Sequence, residues 1–176
     1  MAVDGVDGSG KPVFAGQLAG VLREQARPVV RASVDDFHHP RVQRYRRGRS
    51  SPSGFWLDSF DYDRMRHDLL DPLGPAGSRR YRTAVHDLDT DQHLDLPWVV
   101  GPPGVVPVLD GLFLHRDELH DLWELSVFLD ELLVLKLRPL CRNTDRFSLQ
   151  RLGQVALALA LILTVKLVKW AKRWTD

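Results

Sequence analysis

The sequence predicts an α/β fold in which a mainly parallel sheet is flanked by helices in three layers. Two observations carry that prediction. Short apolar runs alternate with stretches of helical periodicity, the mark of successive βα units. A glycine-rich stretch, Gly5 to Gly10, also lies between the first apolar run and the first helical one. The length of 176 residues is enough for one core of ordinary size.

The elements follow in order. Ala2-Val3 begins a strand that Gly5 ends, and from Val13 the apolar positions Phe14, Leu18, Val21 and Leu22 recur every three or four residues, which gives one apolar stripe on a helix. Val29 to Val34 forms the second strand and runs into Asp35-Asp36. Residues 38 to 59 have little periodicity and read as a loop. A helix fits Asp63 to Leu73, stopped by the Gly/Pro cluster at 72 to 77. Val105 to Leu109 and Leu125 to Leu129 are two further buried strands, each followed by an aspartate, with a short helix between them at Arg116 to Leu122. Pro107 falls inside one of these strands, where a proline would remove a ladder hydrogen bond.

Composition narrows the class. Apolar residues at 44% and charged residues at 27% exclude collagen-like, disordered and disulfide-dense chains. The single cysteine, Cys141, forms no internal disulfide, and Met1 is not followed by a basic and apolar leader, so a cytoplasmic location is expected. Residues 1–130 carry 15 Lys and Arg against 20 Asp and Glu, whereas residues 131–176 carry 9 against 3. The chain therefore divides into a core at 1–130 and a divergent segment at 131–176. Lys11 is the only lysine of the core.

That lysine ends the strongest motif. Gly5 to Pro12, G-V-D-G-S-G-K-P, matches seven of the eight positions of the phosphate-binding loop G-x-x-x-x-G-K-[ST], in the strand–loop–helix context the motif requires. Glycines such as Gly5, Gly8 and Gly10 let the amides around Ser9 turn toward phosphate oxygens, the helix N-terminus adds positive potential, and Lys11 reaches the β and γ phosphates of ATP. The eighth position is Pro12, which suits a first helical turn but lacks the hydroxyl that ligates Mg²⁺. In a parallel sheet ligands bind beyond the carboxyl ends of the strands, which brings Asp35, Asp36 and Asp110 toward the same loop. Phosphoryl transfer to an alcohol needs one carboxylate to take the hydroxyl proton and one to hold the metal; Asp35 suits the first role and Asp110 the second. Each aspartate is also an ordinary helix cap or turn former. His38 and His39 lack a third ligand at zinc spacing. The arginines from Arg41 to Arg49 have no interleaved aromatic beyond Tyr45, so a solvated or substrate-covering loop is expected and no nucleic-acid partner. Phe55 and Trp56 are expected to pack within such a flap.

Five stretches in this order, Gly5 to Lys11, S-V-D-D-F-H (Ser33 to His38), S-F-D-Y (Ser59 to Tyr62), Y-R-T-A-V-H (Tyr81 to His86) and V-L-D-G-L-F (Val108 to Phe113), resemble the uridine kinase and phosphoribulokinase branch of P-loop kinases, over about residues 1 to 130. The resemblance implies ATP-dependent phosphorylation of a nucleoside-like hydroxyl with Mg²⁺. In it Asp35 is similar to the catalytic base, Asp61 to the acid that holds ribose hydroxyls, Tyr81 and His86 to the pyrimidine-ring contacts, and Asp110 to the Walker-B acid. It also implies an arginine-bearing lid, for which Arg138 and Arg142 stand near suitable places, with Pro139 between them. The fold is expected to be incomplete at its C-terminal end. There an apolar run, Val155 to Val165, is followed by Lys166, Lys169, Lys172 and Arg173 with Trp170 and Trp174, and counted generously from Leu152 to Val168 it would extend about 25 Å as a helix, short of a bilayer's roughly 30 Å core. Membrane contact is therefore not the favoured reading against a helix packed on the sheet or a replaced terminus. A catalytically inactive nucleotide-binding protein, whose C-terminal helix meets a partner or membrane, is the alternative.

Overall fold

The computed structural model describes residues 1–130; the expected lid arginines Arg138 and Arg142 and the apolar stretch beyond them lie outside the described residues. The chain runs β1 (Ala2–Gly5), α1 (Lys11–Glu24), β2 (Val29–Ser33), a 3₁₀ turn (Val34–Phe37), α2 (Arg41–Arg44), α3 (Pro52–Asp58) and α4 (Tyr62–Met65). A π turn (Arg66–Leu70) joins α4 to α5 (Asp71–Leu73), and β3 (Arg80–Tyr81), β4 (His86–Asp87), β5 (Gln92–His93), β6 (Val99–Val100), β7 (Val106–Asp110), α6 (Asp117–His120) and β8 (Ser126–Leu129) follow. Four strands form one parallel sheet in the order β2-β7-β1-β8. Two small antiparallel pairs, β3 with β6 and β4 with β5, stand apart from it.

The central strand β1 is buried on both faces, as an unbroken apolar run requires of a parallel strand, whereas Phe128 of the edge strand β8 stays exposed. Along β1 and β7 successive side chains alternate between two cores. Val3 and Val108 join Ala15 of α1, Val127 and Leu129 on one face. Ala2 and Leu109 join Phe37, Met65, Leu69 and Leu114 on the other. The expected three layers are therefore present, with α1 against one face and the α4–α5 run against the other.

Two prolines sit where simple rules would exclude them, and each has a local explanation. Pro107 lies in β7 between β2 and β1. Its carbonyl faces β1, accepting from the Met1 nitrogen at 2.8 Å. The next bond on that side runs from Leu109 N to Met1 O at 3.0 Å, so the ladder between β7 and β1 continues past the proline. Pro72 sits in the first turn of α5. A proline clashes with the carbonyl four residues back. The chain widens into the π turn just there, and the carbonyl of Asp68 turns to accept from Arg82 N at 2.8 Å instead.

The expected loop over residues 38 to 59 is in part helical. The helix α2 has four residues and α3 has seven, too short to print a periodicity, and Ser51 Oγ caps α3 by accepting from Gly54 N at 3.1 Å. The arginines expected there as solvated are mostly tied down. Arg46 and Arg47 both bind the fully buried carboxylate of Asp58, Arg47 Nε at 2.8 Å, and Arg44 binds Asp91. Phe55 and Trp56 meet Phe113 edge to face, yet both remain exposed. No helix among the described residues is long and apolar enough to cross a membrane.

Candidate active site

All four parallel strands end at one edge of the sheet, where the loop after β1, the 3₁₀ turn after β2 and Asp110 of β7 lie. The loop leaving β1 turns back through Gly10, whose φ of 83° lies in the left-handed region that glycine tolerates without cost. The helix α1 then begins at Lys11, with Pro12 in its first turn. This geometry leaves the amides of Gly10, Lys11 and Val13 without an acceptor among the described residues, and Ser9 Oγ is buried without a partner. Lys11 is only 6% exposed, and its ammonium points into the loop, donating to the carbonyls of Gly5 at 3.1 Å and Val6 at 2.7 Å. Free amides, an orphaned hydroxyl and a buried ammonium at a helix N-terminus form a set of donors that suits an anion's oxygens.

Beside this cradle stands the acidic edge. Ser33 Oγ accepts from Asp35 N at 3.3 Å and starts the 3₁₀ turn that carries Asp35, exposed, and Asp36, half-buried. Burial raises the Asp36 carboxyl above the usual range, against a hydrogen bond with Ser33 that lowers it, and the charges of Asp35 and Asp110 push it further up. Asp35 and Asp110 are thus near enough for their charges to act on Asp36. Asp110 is 2% exposed, and its Oδ1 accepts from Arg31 Nη2 at 2.5 Å while Arg31 Nη1 holds the Val108 carbonyl at 2.8 Å. The structure therefore puts a guanidinium against the carboxylate expected to meet Mg²⁺. Pro12 offers no side-chain oxygen at the position where the motif carries a hydroxyl. These residues do not fit a resident magnesium ion.

The third component is a pocket of about 260 Å³ whose lining includes His38, His39, Asp61, Arg64, His86 and His93. Asp61 caps α4, its Oδ1 accepting from Arg64 N at 3.0 Å, while Oδ2 lies 3.6 Å from His39 Nδ1. His86 is buried, with Nε2 3.1 Å from Asp91 Oδ1. Asp61 and His86 are thus brought together, 25 residues apart in sequence. Tyr81 is not part of this lining; it sits in β3 and packs against the core.

Burial pushes both His38 and His39 below the ordinary imidazole value of 6.5, outweighing the carboxylates Asp35 and Asp61 that act in the other direction. An imidazole depressed in the folded chain takes up protons more readily when unfolded, so its stabilising contribution is complete above pH 6.5 and is lost as pH falls below it. Urea midpoints should therefore drop between pH 7.5 and 5.5, and a chain carrying His38→Gln and His39→Gln should show a flatter drop. An equal drop in that double variant would refute the assignment.

Sequence reasoning passed over Arg31, Asp91 and His93. Arg31 carries a weak signal, a lone cation inside an apolar strand. Asp91 carries none: it lies in a turn at φ 60° and earns its place only because the β4–β5 hairpin folds it beneath His86 and beside Arg44.

The fold and its loop are those of the P-loop kinases: a parallel sheet flanked by helices, with the glycine-rich cradle between β1 and α1. Within that class the likeness of this chain is to kinases of the uridine kinase type. Among solved structures it is similar to a possible uridine kinase from Bacillus stearothermophilus, with 27% identity over 77% of this chain and 72% of that one and a TM-score of 0.65. It also resembles in fold a protein described as a fructose transport system kinase from Silicibacter sp., with 20% identity over 91% and 77% of the two chains and a TM-score of 0.52. No family model and no curated protein matches the sequence.

Proposed function

We propose that the chain transfers a phosphoryl group from ATP to a hydroxyl of a nucleoside-like acceptor. The observation that carries this reading is the shared edge: the donor cradle at Ser9 to Val13 follows β1, and the pocket of Asp61 and His86 is also lined by His38 and His39, which follow parallel β2 and its 3₁₀ turn. The 27% identity to a possible uridine kinase supports the acceptor class.

In this reading the amides of Gly10, Lys11 and Val13 and the hydroxyl of Ser9 hold the nucleotide's phosphates. Lys11 exchanges its two carbonyl partners for phosphate oxygens and offsets charge that grows on the transferred group. Asp35 is the base that takes the acceptor's proton; its charge already acts on His38 at the pocket wall. Asp61 holds acceptor hydroxyls, and His86, kept in place by Asp91, meets the ring. Tyr81 reaches the acceptor only by a shift from its place in β3, and Asp110 meets a metal only by releasing Arg31. Arg138 and Arg142 remain the proposed lid contacts. Magnesium enters as part of the MgATP substrate, held by its phosphates.

A second reading is favoured by Pro12 and the Arg31–Asp110 pair: the chain binds nucleotide without turning it over. A coupled assay with MgATP and a panel of nucleosides and sugar alcohols, beside titration calorimetry with ATP, separates the two. Transfer to a nucleoside and a rise in kcat of about tenfold in Pro12→Thr, which restores a metal-facing hydroxyl, support the kinase. ATP binding with no transfer by either chain supports the second reading.

A further inference from the structure

A second pocket, of about 390 Å³, is lined by Arg41, Arg44, Tyr45, Arg49 and Leu88, and two of these residues, Arg41 and Arg44, contact Asp91. Its charge is out of balance. Asp91 is the only carboxylate in an ion pair with these three arginines among the described residues, and its single contact with a guanidinium, Arg44 Nη2 to Oδ1, is long at 3.4 Å. Arg41 spends its backbone N–H on Asp91 at 2.9 Å, and its guanidinium has only backbone carbonyls, Asp89 at 3.0 Å and Leu88 at 3.5 Å. Arg49 has no carboxylate partner and rests 5.5 Å from the centre of the Tyr45 ring, with Arg44 5.4 Å from the same ring. The Arg44 side chain is 10% exposed, yet its Nε is buried with no hydrogen-bond partner. A buried N–H left unpaired is costly. A guanidinium with one long bond and one orphaned donor gains on turning toward an acceptor that takes both of its parallel N–H groups.

We propose that this pocket binds a small organic phosphate monoester. Three guanidiniums against one carboxylate leave room for a dianion, the forked donors of Arg44 and Arg49 match phosphate oxygens, and the Tyr45 ring and Leu88 give the organic group an apolar wall. The volume falls within the usual range for small-molecule pockets and exceeds what bare phosphate needs. Occupancy also reaches the first pocket. An anion that draws Arg44 away leaves Asp91 with His86 and the Arg41 amide, which strengthens the carboxylate's hold on the imidazole. The site owes nothing to the kinase reading, and either stands without the other.

The test is an NMR titration of the full chain at low ionic strength, following arginine side-chain Nε–H signals and backbone amides, with inorganic phosphate, phenyl phosphate and uridine monophosphate as probes. The proposal expects the Arg44 and Arg49 Nε–H signals to move and saturate, with the monoesters binding more tightly than inorganic phosphate. In Arg49→Ala, a change at an exposed residue that holds nothing but a ring contact, the monoesters should bind about tenfold more weakly. Arg49→Lys, which keeps the charge and loses the fork, should fall between. Amide shifts at Gly8, Gly10 and Lys11 report the phosphate loop separately and should be the same in all three chains. Shifts confined to that loop, shifts at Arg44 and Arg49 that rise without saturating, equal binding of inorganic phosphate and monoester, or no loss in Arg49→Ala each overturn the proposal.

Discussion

A Lys11→Met chain is expected to lose phosphoryl transfer by about 10²- to 10³-fold while keeping its fold, because it removes the one ammonium that the described residues aim into the cradle. Methionine fills the buried stem of the side chain and loses only the two bonds to the Gly5 and Val6 carbonyls, so the thermal midpoint should fall by a few degrees at most. Calorimetry distinguishes a charge that serves the phosphates from a structural lysine. ATP affinity and kcat should fall together with far-UV dichroism unchanged. If the variant binds ATP as the parent chain does, the ammonium serves only to tie down the loop, and the phosphate reading of Gly5 to Lys11 is wrong.

Gly111→Ala is expected to cost about 3 kcal/mol or more of folding stability, a large share of the 5–15 kcal/mol that holds an ordinary domain together. Gly111 follows Asp110 at the end of β7 with φ 154°, and a Cβ there would collide with the Cγ1 and Cβ of Val34. Neither side has room to yield. Val34 is fully buried and β-branched, and the Gly111 backbone is pinned by its N–H to the Val3 carbonyl at 3.1 Å. Gly104→Ala is the control: its φ of 71° is also positive, but no atom lies within 4 Å of a built Cβ, so only the backbone cost of about 1 kcal/mol remains. Urea denaturation of the two variants should therefore give midpoints well apart. Equal midpoints would show that backbone conformation rather than the Val34 contact makes glycine necessary there.

The close approach at Gly111 illustrates what was legible in the chain. The V-L-D-G run, the phosphate loop and the two strand-end aspartates stand out in sequence because each is a local device: backbone freedom, an apolar strand and an acid at its end, all within a few residues. The strands at Val29 and Val106, the helix from Lys11 and the long turn-helix run ending at Leu73 were readable for the same reason. Helices of four and seven residues in the 38–59 segment were not, since so short an element is held by caps and by the Asp58 pairs rather than by a stripe. Pro107 read as a break because its tolerance depends on which neighbour its nitrogen faces, a fact of sheet order.

By itself, then, the sequence determined the α/β class, the strand–loop–helix cradle with Lys11, and the candidates Asp35, Asp61, His86 and Asp110. Only the tertiary structure decided how they are arranged: Asp61 and His86 share a pocket, Tyr81 stays outside it, and Arg31 occupies the carboxylate of Asp110. The physical reason is the range of the interactions. A turn, a cap or a strand is specified by neighbours along the chain. An ion pair such as Arg31–Asp110, whose partners stand 79 positions apart in the chain, exists only once parallel pairing of β2 with β7 has set Ser33 opposite Asp110 and Arg31 opposite Val108.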